Sequence, residues 1–446
     1  MTMASPPGWF SYLPKVLQKR LKGKVNLLVI LSNSGWLFLD KLLRLGLSVV
    51  VGIWVARYLG PSLFGELAYV LAYIVFFQAI ANLGLDGITV REISKNRAEA
   101  NDLLGTVFVL RLIAGSFCWV SAIVVMGFIN GWHDRSVLLT ALVGSSLIFQ
   151  SSDTIDLWFQ SQSQSRRTVI AKIGAYFFSN GVKVYLVFIG AQLTAFAAVI
   201  VLEGLLAALG LAFAYKKYPC EKKWMLGKNI AFKLLRESWP FILSGVAIMI
   251  YMRIDQIMIK EMLGIEHLGI YAAVLPLATL WQVIPVALNA SLAPFVARKK
   301  ANSEDEYWLA LQKIFKAYAL IGWLVCLPTI ALSHWLVPLL YGAAYQEGAY
   351  VLSVYVLTNL FINMGMAQGL WMLNERKPIM SLVNTITGAV VCVVGNYFLI
   401  PHFGILGTAA VAVLAQISST MLTNLIFSKR IFLMQVRSLA WPIFKI

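Results

Sequence analysis

The sequence predicts an all-α membrane protein with about twelve transmembrane helices, arranged as two parallel-repeat bundles of six around a central cavity. Three observations predict this fold class: the chain is very apolar, its apolar runs have the length of membrane helices, and its two halves share a motif. Hydrophobic residues make up 59% of the 446 residues and charged residues only 13%. A soluble domain carries about 25% charged residues, so this chain has too little polar surface to be surrounded by water.

The apolar runs are the second observation, because each is long enough to cross about 30 Å of hydrocarbon. The predicted spans are 36–57, 64–84, 105–128, 137–158, 169–190, 193–215, 238–260, 268–293, 311–333, 349–372, 379–400 and 405–427. They divide the chain into a basic N-terminus 1–25, a six-helix lobe 26–215, a basic linker 216–237, a second six-helix lobe 238–427 and a basic tail 428–446.

The positions of the basic residues predict the orientation in the membrane. Of the 37 Lys and Arg residues, 26 fall in loops and termini on one side and only 3 in loops and at span ends on the other. Cytoplasmic loops carry the excess of Lys and Arg, so we expect both termini in the cytoplasm. The net charge of +17 thus reflects topology and not nucleic-acid binding. Residues 9–25, which mix Lys with Trp and Leu, are either an interfacial helix or a disordered basic tail.

The shared motif is the third observation. LGPSLFG at 59–65 recurs as LGIEHLG at 263–269, an offset of 204 residues. Each copy lies at the predicted outer turn between the first and second helix of a six-helix half, which indicates duplication. Two similar bundles facing a central cavity are typical of alternating-access transporters.

Proline is distributed unevenly between the halves. None occurs from Ser62 to Tyr218, whereas Pro276, Pro285 and Pro294 lie in and just after the eighth predicted span. Proline removes a backbone donor and kinks a helix. These residues indicate either a helix that bends during transport while the first half moves as a rigid body, or static kinks needed for packing.

Six segments carry a resemblance to a known family. They are VARYLGPSLFGELAYV (55–70), NLGLDGITVREIS (82–94), RIDQIMIKEMLGIEHLGIYAAV (253–274), PVALNASLAPFVARK (285–299), LLYGAAYQEGAYVLSV (339–354) and NYFLIPHFGILGTAAVAVLAQ (396–416). As a set, they resemble the polysaccharide transporters of the multidrug/oligosaccharidyl-lipid/polysaccharide (MOP) exporter superfamily, particularly the Wzx-type O-antigen flippases. The resemblance runs along nearly the whole chain in the order of the family.

The resemblance implies a two-lobed, MATE-like fold and a transport function. The implied activity is to move an undecaprenyl-diphosphate-linked oligosaccharide from the cytoplasmic to the outer leaflet by alternating access. The expected partners are this substrate, membrane lipids and other polysaccharide assembly proteins, with a monomeric transport unit and no nucleic acid.

Charged residues inside the predicted spans are the candidate site residues, because a central charge costs about 2.5–3.5 kcal/mol unless it finds a partner or a wet cavity. The candidates for diphosphate binding are Arg44, Arg111, Lys172, Lys183 and Arg253. The candidates for ion coupling or for counter-ions are Asp40, Asp153, Glu203 and Asp255, with Asp156 beside them.

Positions along the helices predict how these charges pair. The expected ion pairs are Asp40 with Arg44, Arg111 with Asp153, and Lys183 with Glu203. Arg253 and Asp255 point about 200° apart and cannot share a face.

Lys172 and Lys183 are eleven residues apart, close to three helical turns, so they lie on one face about 16 Å apart. With only Glu203 expected near them, the two lysines predict surplus positive charge, for which a diphosphate is a natural ligand. Each basic candidate has two interpretations: it faces the substrate, or it serves in a salt bridge or snorkels to the interface.

The acidic candidates also leave alternatives open. Asp40 and Asp255 lie deeper in the predicted spans and either neutralise nearby cations or carry H⁺ or help to hold Na⁺. Asp153 and Asp156 lie near the cytoplasmic end of their helix and could simply reach water. We expect no cofactor, since the four histidines fall at predicted outer turns without metal-ligand spacing and the chain has no Walker motif.

Two other function classes compete with the flippase. A multidrug exporter of the same superfamily would need acids for cationic drugs, and Asp40 keeps this alternative open, although 8 Lys and Arg residues lie within the spans. A membrane polymerase or ligase would be an enzyme and usually has a large outer loop. The longest predicted outer loop, 334–348, is short, so we expect the chain not to be an enzyme.

The charge asymmetry predicts which turns a membrane-impermeant thiol reagent reaches from outside. Gly131→Cys and Gln346→Cys should be labelled in sealed cells, whereas Lys223→Cys and Lys300→Cys should react only after the membrane is opened. Labelling of Lys223→Cys in sealed cells would contradict the predicted orientation.

Overall fold

The computed structural model describes residues 25–218 and 223–440. All regular elements within these residues are helical, and eight of the helices are long and apolar enough to cross a membrane. The chain is therefore an all-α, multi-pass membrane protein, as predicted. The count of twelve spans stays a prediction. Two of the eight segments, Phe38–Lys95 and Ile379–Phe427, contain two predicted spans each, whereas the predicted spans 137–158 and 169–190 are not among the eight. The segment 9–25, apart from Val25, and Cys220 lie outside the described residues.

Residue contacts divide the chain into two compact units: Met1–Ser48 with Phe77–Leu243, and Val49–Phe76 with Ser244–Ile446. The predicted lobes follow the sequence repeat instead of contacts, and they remain a prediction. The helices up to the middle of the chain are α1 (Val25–Ala81), α2 (Asp86–Lys95), α3 (Ala100–Asn130), α4 (Arg135–Gly144), α5 (Ser146–Phe149), α6 (Asp153–Ser161), α7 (Arg166–Phe188) and α8 (Leu193–Lys217).

The remaining helices belong to the second unit, except for the start of the first of them. They are α9 (Lys228–Leu263), α10 (Ile265–Thr279), α11 (Val283–Asn302), α12 (Glu304–Tyr341), α13 (Gly348–Tyr355), α14 (Thr358–Asn374), α15 (Pro378–Ile417), α16 (Thr423–Phe427) and α17 (Lys429–Ala440). A π-helical turn, Ser418–Leu422, connects α15 to α16.

The repeated motif has the same backbone shape in both copies. Gly60 kinks α1 with φ 72° and ψ 170°, and Gly264 separates α9 from α10 with φ 98° and ψ 175°. A side chain with a Cβ is strained at such positive φ values. Both copies therefore need glycine at the equivalent position, which supports the duplication predicted from the sequence.

The two copies also contact each other within the second unit. A Cβ on Gly65 would overlap the carbonyl oxygen of Ile265, and a Cβ on Gly269 would overlap that of Pro61. Pro61 is equivalent to Ile265, and Gly65 to Gly269, at the offset of 204 residues. The contact is thus reciprocal, as at an interface with two-fold symmetry.

Helices of the first unit are interrupted even in the stretch up to Tyr218 that contains no proline. Between α4 and α6 the chain forms the short α5 and a 3₁₀ turn, Gln150–Ser152. The hydroxyls of Ser145, Ser151 and Ser152 each donate to the carbonyl three residues earlier, at 2.7–2.8 Å. Serine hydroxyls that bond back to the backbone bend helices, so the absence of proline did not predict unbroken helices here.

In the second unit, a helix is interrupted close to the prolines of the eighth predicted span. The 3₁₀ turn Leu280–Gln282 separates α10 from α11, and it lies between Pro276 and Pro285. Pro276 is four residues before the turn, and its carbonyl accepts the amide of Leu280. Whether this helix bends during transport remains a hypothesis.

Each unit has its own apolar core. The core of the first unit includes Leu85, Ile93, Leu104, Trp158, Phe159 and Leu211. The core of the second includes Tyr307, Phe315, Tyr318, Met364, Trp371 and Ile431. Cys118, Cys326 and Cys392 are buried and free, so these three serve as packing residues.

The described part of the predicted linker that begins at residue 223 packs against helices of the first unit. The indole nitrogen of Trp224 donates to the hydroxyl of Tyr215 at 2.8 Å, and the ring of Trp224 lies 5.5 Å from that of Phe108. The amide of Gly227 donates to the hydroxyl of Thr106 at 3.0 Å. This end of the linker is therefore fixed to α3 and α8.

The reciprocal glycine contact predicts a matched pair of destabilised variants. Gly65→Ala and Gly269→Ala should each lower the free energy of unfolding by about 1–3 kcal/mol, because the new methyl group overlaps a backbone carbonyl. Thermal unfolding of the purified protein in detergent would measure the effect. Gly52→Ala, at a helical position with no heavy atom within 4 Å of the added carbon, is the control. Equal melting of all three variants and the wild type would contradict the contact.

Candidate functional site

Four charged side chains form a chain of ion pairs in the first unit. Arg44 Nε donates to Asp40 Oδ1 at 2.7 Å, and Arg44 Nη1 lies 3.7 Å from Glu203 Oε1. Lys183 Nζ lies 4.0 Å from the other oxygen of Glu203. The Arg44 guanidinium lies 4.8 Å from the centre of the Tyr176 ring, and the Tyr176 hydroxyl donates to the Arg44 carbonyl at 3.0 Å. We call these five residues the α1–α7–α8 cluster.

The α1–α7–α8 cluster confirms two of the three predicted ion pairs, Asp40 with Arg44 and Lys183 with Glu203. It contains two cations and two carboxylates, so its formal charge is balanced. The side chains are 18–29% exposed, so the cluster is accessible without being fully solvated. Lys183 is the most weakly paired cation, because Glu203 is shared and lies at the limit of ion-pair distance.

The sequence predicted that Lys172 adds to a surplus of positive charge. In the structure its charge is neutralised. Its ammonium group binds two carboxylates of α6, Asp153 at 2.8 Å and Asp156 at 2.7 Å. The two acids are three residues apart and therefore share the helix face that meets α7. Glu203, on α8, pairs with Lys183 and Arg44 and not with Lys172. The predicted surplus of positive charge at Lys172 was therefore wrong.

Arg111 also has a different partner from the one predicted. Its Nη2 atom donates to Asp86 at 2.5 Å and to the Asn82 side-chain oxygen at 2.7 Å, and the residue is only 2% exposed. Asp153 is engaged by Lys172 instead. The prediction failed because Asp86 was assigned to a loop, whereas it begins the short helix α2, which packs against α3.

In the second unit, Arg253 and Asp255 are separated as predicted. Asp255 is buried and accepts hydrogen bonds from the Tyr271 hydroxyl at 2.7 Å and from the amide of Gln256 at 2.8 Å. Arg253 lies on another face of α9. Within the described residues, Arg253 makes no hydrogen bond or ion pair. Arg253 lies ten residues before the end of α9, and its charge acts on Asp255 without forming an ion pair. A partly exposed guanidinium without a bound carboxylate costs free energy inside a membrane.

Asp255 lies at the wall of a cavity of about 440 Å³ inside the second unit. The polar side chains of its lining include those of Tyr251, Asp255, Gln282, Tyr355, Thr385 and Gln416. Met252, Ile362 and Met366 supply part of the apolar lining. The cavity therefore combines one carboxylate with neutral hydrogen-bonding groups and aromatic surface. Such a lining can hold a small cation, a proton or a polar organic group.

The cavity is bordered by the two non-α turns of this unit. Gln282 comes from the 3₁₀ turn Leu280–Gln282, and Thr420 comes from the π turn Ser418–Leu422. Irregular helical turns redirect side chains and backbone groups and often occur at functional sites. Behind the π turn, three buried amides form a closed ring: Gln368 donates to Asn424, Asn424 to Gln435, and Gln435 to Gln368. This ring fixes α17 beside the turn.

Several residues of these sites were not identified from the sequence. Asn82 and Asp86 are four apart at the start of a quoted motif, and this spacing could have indicated a shared partner. Tyr176 and Tyr271 gave no comparable signal, because tyrosine is common in membrane helices. Their contacts depend on how separate helices pack.

Residues 30–300 match the family described as polysaccharide biosynthesis protein. A protein of Shigella dysenteriae described as a candidate O-antigen transporter is 22% identical over 396 residues, which cover 87% of this chain and 95% of that protein.

Two groups of solved structures share the fold. An inward-facing multidrug resistance MATE family transporter of the MOP superfamily superposes with a TM-score of 0.70 at 14% identity, covering 88% of this chain and 96% of the other. The lipid II flippase MurJ, in an inward closed conformation, superposes with a TM-score of 0.68 at 13% identity, covering 91% of each chain. At these identities the similarity establishes the fold alone, which matches the fold class predicted from the sequence.

The pairing of Lys172 predicts a structural role that can be measured. Lys172→Met should lower the free energy of unfolding by roughly 2–3 kcal/mol, because it leaves two carboxylates together without a cation. The triple variant that also carries Asp153→Asn and Asp156→Asn should recover most of this loss. Denaturant unfolding in micelles would compare both with Lys228→Met, a change at an exposed lysine. A triple variant as unstable as the single variant would contradict the assigned ion pairs.

Proposed function

The chain belongs to the polysaccharide biosynthesis protein family, and from this premise we propose that it moves an undecaprenyl-diphosphate-linked oligosaccharide from the cytoplasmic to the outer leaflet of the bacterial inner membrane by alternating access. The family membership and the fold shared with MOP transporters support a polysaccharide-related transporter, not an enzyme. The O-antigen description of the Shigella relative supports a substrate of this kind.

Arg253 is the observation that supports an anionic substrate most directly. It lies within a membrane helix, and no carboxylate of the described residues forms a hydrogen bond or an ion pair with it, although its charge acts on Asp255. An anion that binds there would offset its desolvation. Arginine also presents a planar fork of donors that fits phosphate oxygens. In the first unit, Lys183 and Arg44 are the candidates, since Lys183 is only weakly neutralised. Arg111 and Lys172 are already held by carboxylates, and we assign them structural roles.

The sugar would make a different kind of contact. It offers hydroxyl groups and rings without charge, so it needs amides, hydroxyls and aromatic surface and not cations. The diphosphate needs positive charge in a site of low dielectric constant. We therefore expect cation substitutions to affect all substrates that share the diphosphate, whatever their sugar.

For coupling, Asp255 is the strongest of the four acidic candidates. Asp40 and Glu203 bind the cations of the α1–α7–α8 cluster, and Asp153 binds Lys172. Asp255 instead accepts only neutral donors and borders a cavity. We propose that Asp255 takes up the coupling H⁺ or Na⁺. The membrane potential would also assist outward movement of two negative charges by about 4–5 kcal/mol per 100 mV.

A multidrug exporter is the second candidate function, and the same cavity is the observation in its favour. Its single carboxylate and its tyrosines would suit an organic cation. The two functions differ in the sign of the substrate charge, so they predict opposite effects of removing Arg253 and Asp255.

Complementation of a flippase-deficient strain tests the flippase proposal. Arg253→Gln should reduce surface polysaccharide by roughly tenfold to a hundredfold, because a lost charge-assisted hydrogen bond is worth about 1.5–3 kcal/mol. Arg253→Lys should be milder, since it keeps the charge and loses only the fork geometry. Arg236→Gln, at an exposed arginine on the same helix, is the matched control. Normal export by the membrane-inserted Arg253→Gln variant would contradict the assignment.

Lys183 needs a second variant because Lys183→Gln removes one of the two cations beside Glu203. If Lys183 binds phosphate, Lys183→Gln and the double variant with Glu203→Gln should both lose export. Normal export by the double variant would show that Lys183 serves only to neutralise Glu203.

A further inference from the structure

An apolar crevice opens between α11 and α12 of the second unit. It has a volume of about 420 Å³. Its apolar walls include Leu288, Leu292, Phe295, Leu309, Ile314 and Ala317. Phe295 and Leu309 are 38% and 52% exposed, so the crevice is continuous with exposed apolar surface on helices that are long and apolar enough to cross a membrane.

Two lysines line this crevice, and they differ in their partners. Lys299 binds Glu306 at 2.8 Å across the turn between the two helices. Lys313 is exposed, and it makes no ion pair within the described residues. It lies ten residues beyond Ser303, which corresponds to about 15 Å along α12. Lys313 is thus a single unneutralised cation placed beside hydrocarbon-lined walls, well inside the end of the helix.

We propose that this crevice binds a monoanionic phospholipid. One acyl chain would lie along the apolar walls, and the phosphate would bind the ammonium group of Lys313. Burial of the acyl surface and pairing of the phosphate with Lys313 would both favour binding of this lipid. Neither water nor a zwitterionic headgroup neutralises Lys313 as completely as a headgroup with a net negative charge. Basic pockets between helices commonly bind anionic lipid headgroups.

The charge balance selects the class of lipid. Lys299 and Glu306 neutralise each other, so the crevice carries one surplus positive charge. A phospholipid with one negative charge matches this surplus. A polyprenyl diphosphate carries more negative charge, and it would be undercompensated here. The crevice is therefore a site for a bilayer phospholipid and not for the lipid carrier of the proposed transport substrate.

This inference does not depend on the proposed transport function. The crevice shares no lining residue with the Asp255 cavity or with the α1–α7–α8 cluster. Its readout is retained lipid and not transport, so either proposal can fail without the other.

Native mass spectrometry of the full chain, delipidated and then titrated with phosphatidylglycerol or phosphatidylethanolamine, tests the site. The wild type should retain phosphatidylglycerol in preference, and Lys313→Gln should reduce this preference about fivefold, the value of one lysine near a membrane surface. Ala317→Phe, which fills the crevice from an exposed position, should reduce retention of both lipids at this site. Lys216→Gln and Ala212→Phe, at exposed positions of α8, are the matched controls.

Two outcomes would overturn the proposal. One is equal retention of the two lipids by the wild type, or an unchanged preference in Lys313→Gln. The other is displacement of phosphatidylglycerol from the crevice by equimolar undecaprenyl diphosphate, which would assign the site to the carrier lipid. A thermal scan of each variant would identify any that failed to fold, and Lys313→Arg should then retain the preference where Lys313→Gln does not.

Discussion

The free-energy cost of charge in hydrocarbon determines how this protein arranges its polar residues. Most charges within the described helices are compensated locally. Lys172 binds two acids of α6, Arg111 binds Asp86, and the α1–α7–α8 cluster balances two cations against two carboxylates. Each of these groups holds together helices that have little hydrophobic reason to associate in lipid, because lipid tails are as apolar as leucine. The paired charges therefore contribute to helix packing, beside the apolar cores of the two units.

Three charged groups that form no ion pair among the described residues differ in environment. Arg253 lies ten residues before the end of α9, Lys313 borders an apolar crevice, and Asp255 is buried against tyrosine beside a cavity. A protein that retains such groups against their cost must gain something from a ligand or from an ion. Three environments imply three chemistries: a phosphate in the transport path, a phospholipid in the bilayer, and a small cation or proton. The same physical constraint thus separates structural charges from functional ones.

The fold could be predicted from the sequence because it depends on local and periodic properties. Apolar run length, glycine placement and the repeat at an offset of 204 residues do not require knowledge of packing. The pairs Asp40–Arg44 and Lys183–Glu203 were predictable too, since one lies on a single helix face and the other on adjacent hairpin helices. The partners of Arg111 and Lys172 were not, because they depend on where α2 begins and on which face of α6 turns inward. Helix interruptions at serine residues were not predictable either, because serine in a sequence indicates a helix break less clearly than proline does.

The central claim is that the chain moves an anionic lipid-linked sugar across a bilayer, and flipping in proteoliposomes measures this most directly. The purified protein would be reconstituted with undecaprenyl-diphosphate oligosaccharide, and the fraction reached by an external sugar-modifying enzyme would be followed with an imposed membrane potential. The account predicts that the protected fraction becomes accessible, faster when the potential favours movement of negative charge, and that Arg253→Gln slows it. No flipping of this lipid by vesicles that take up a cationic dye instead would contradict the account.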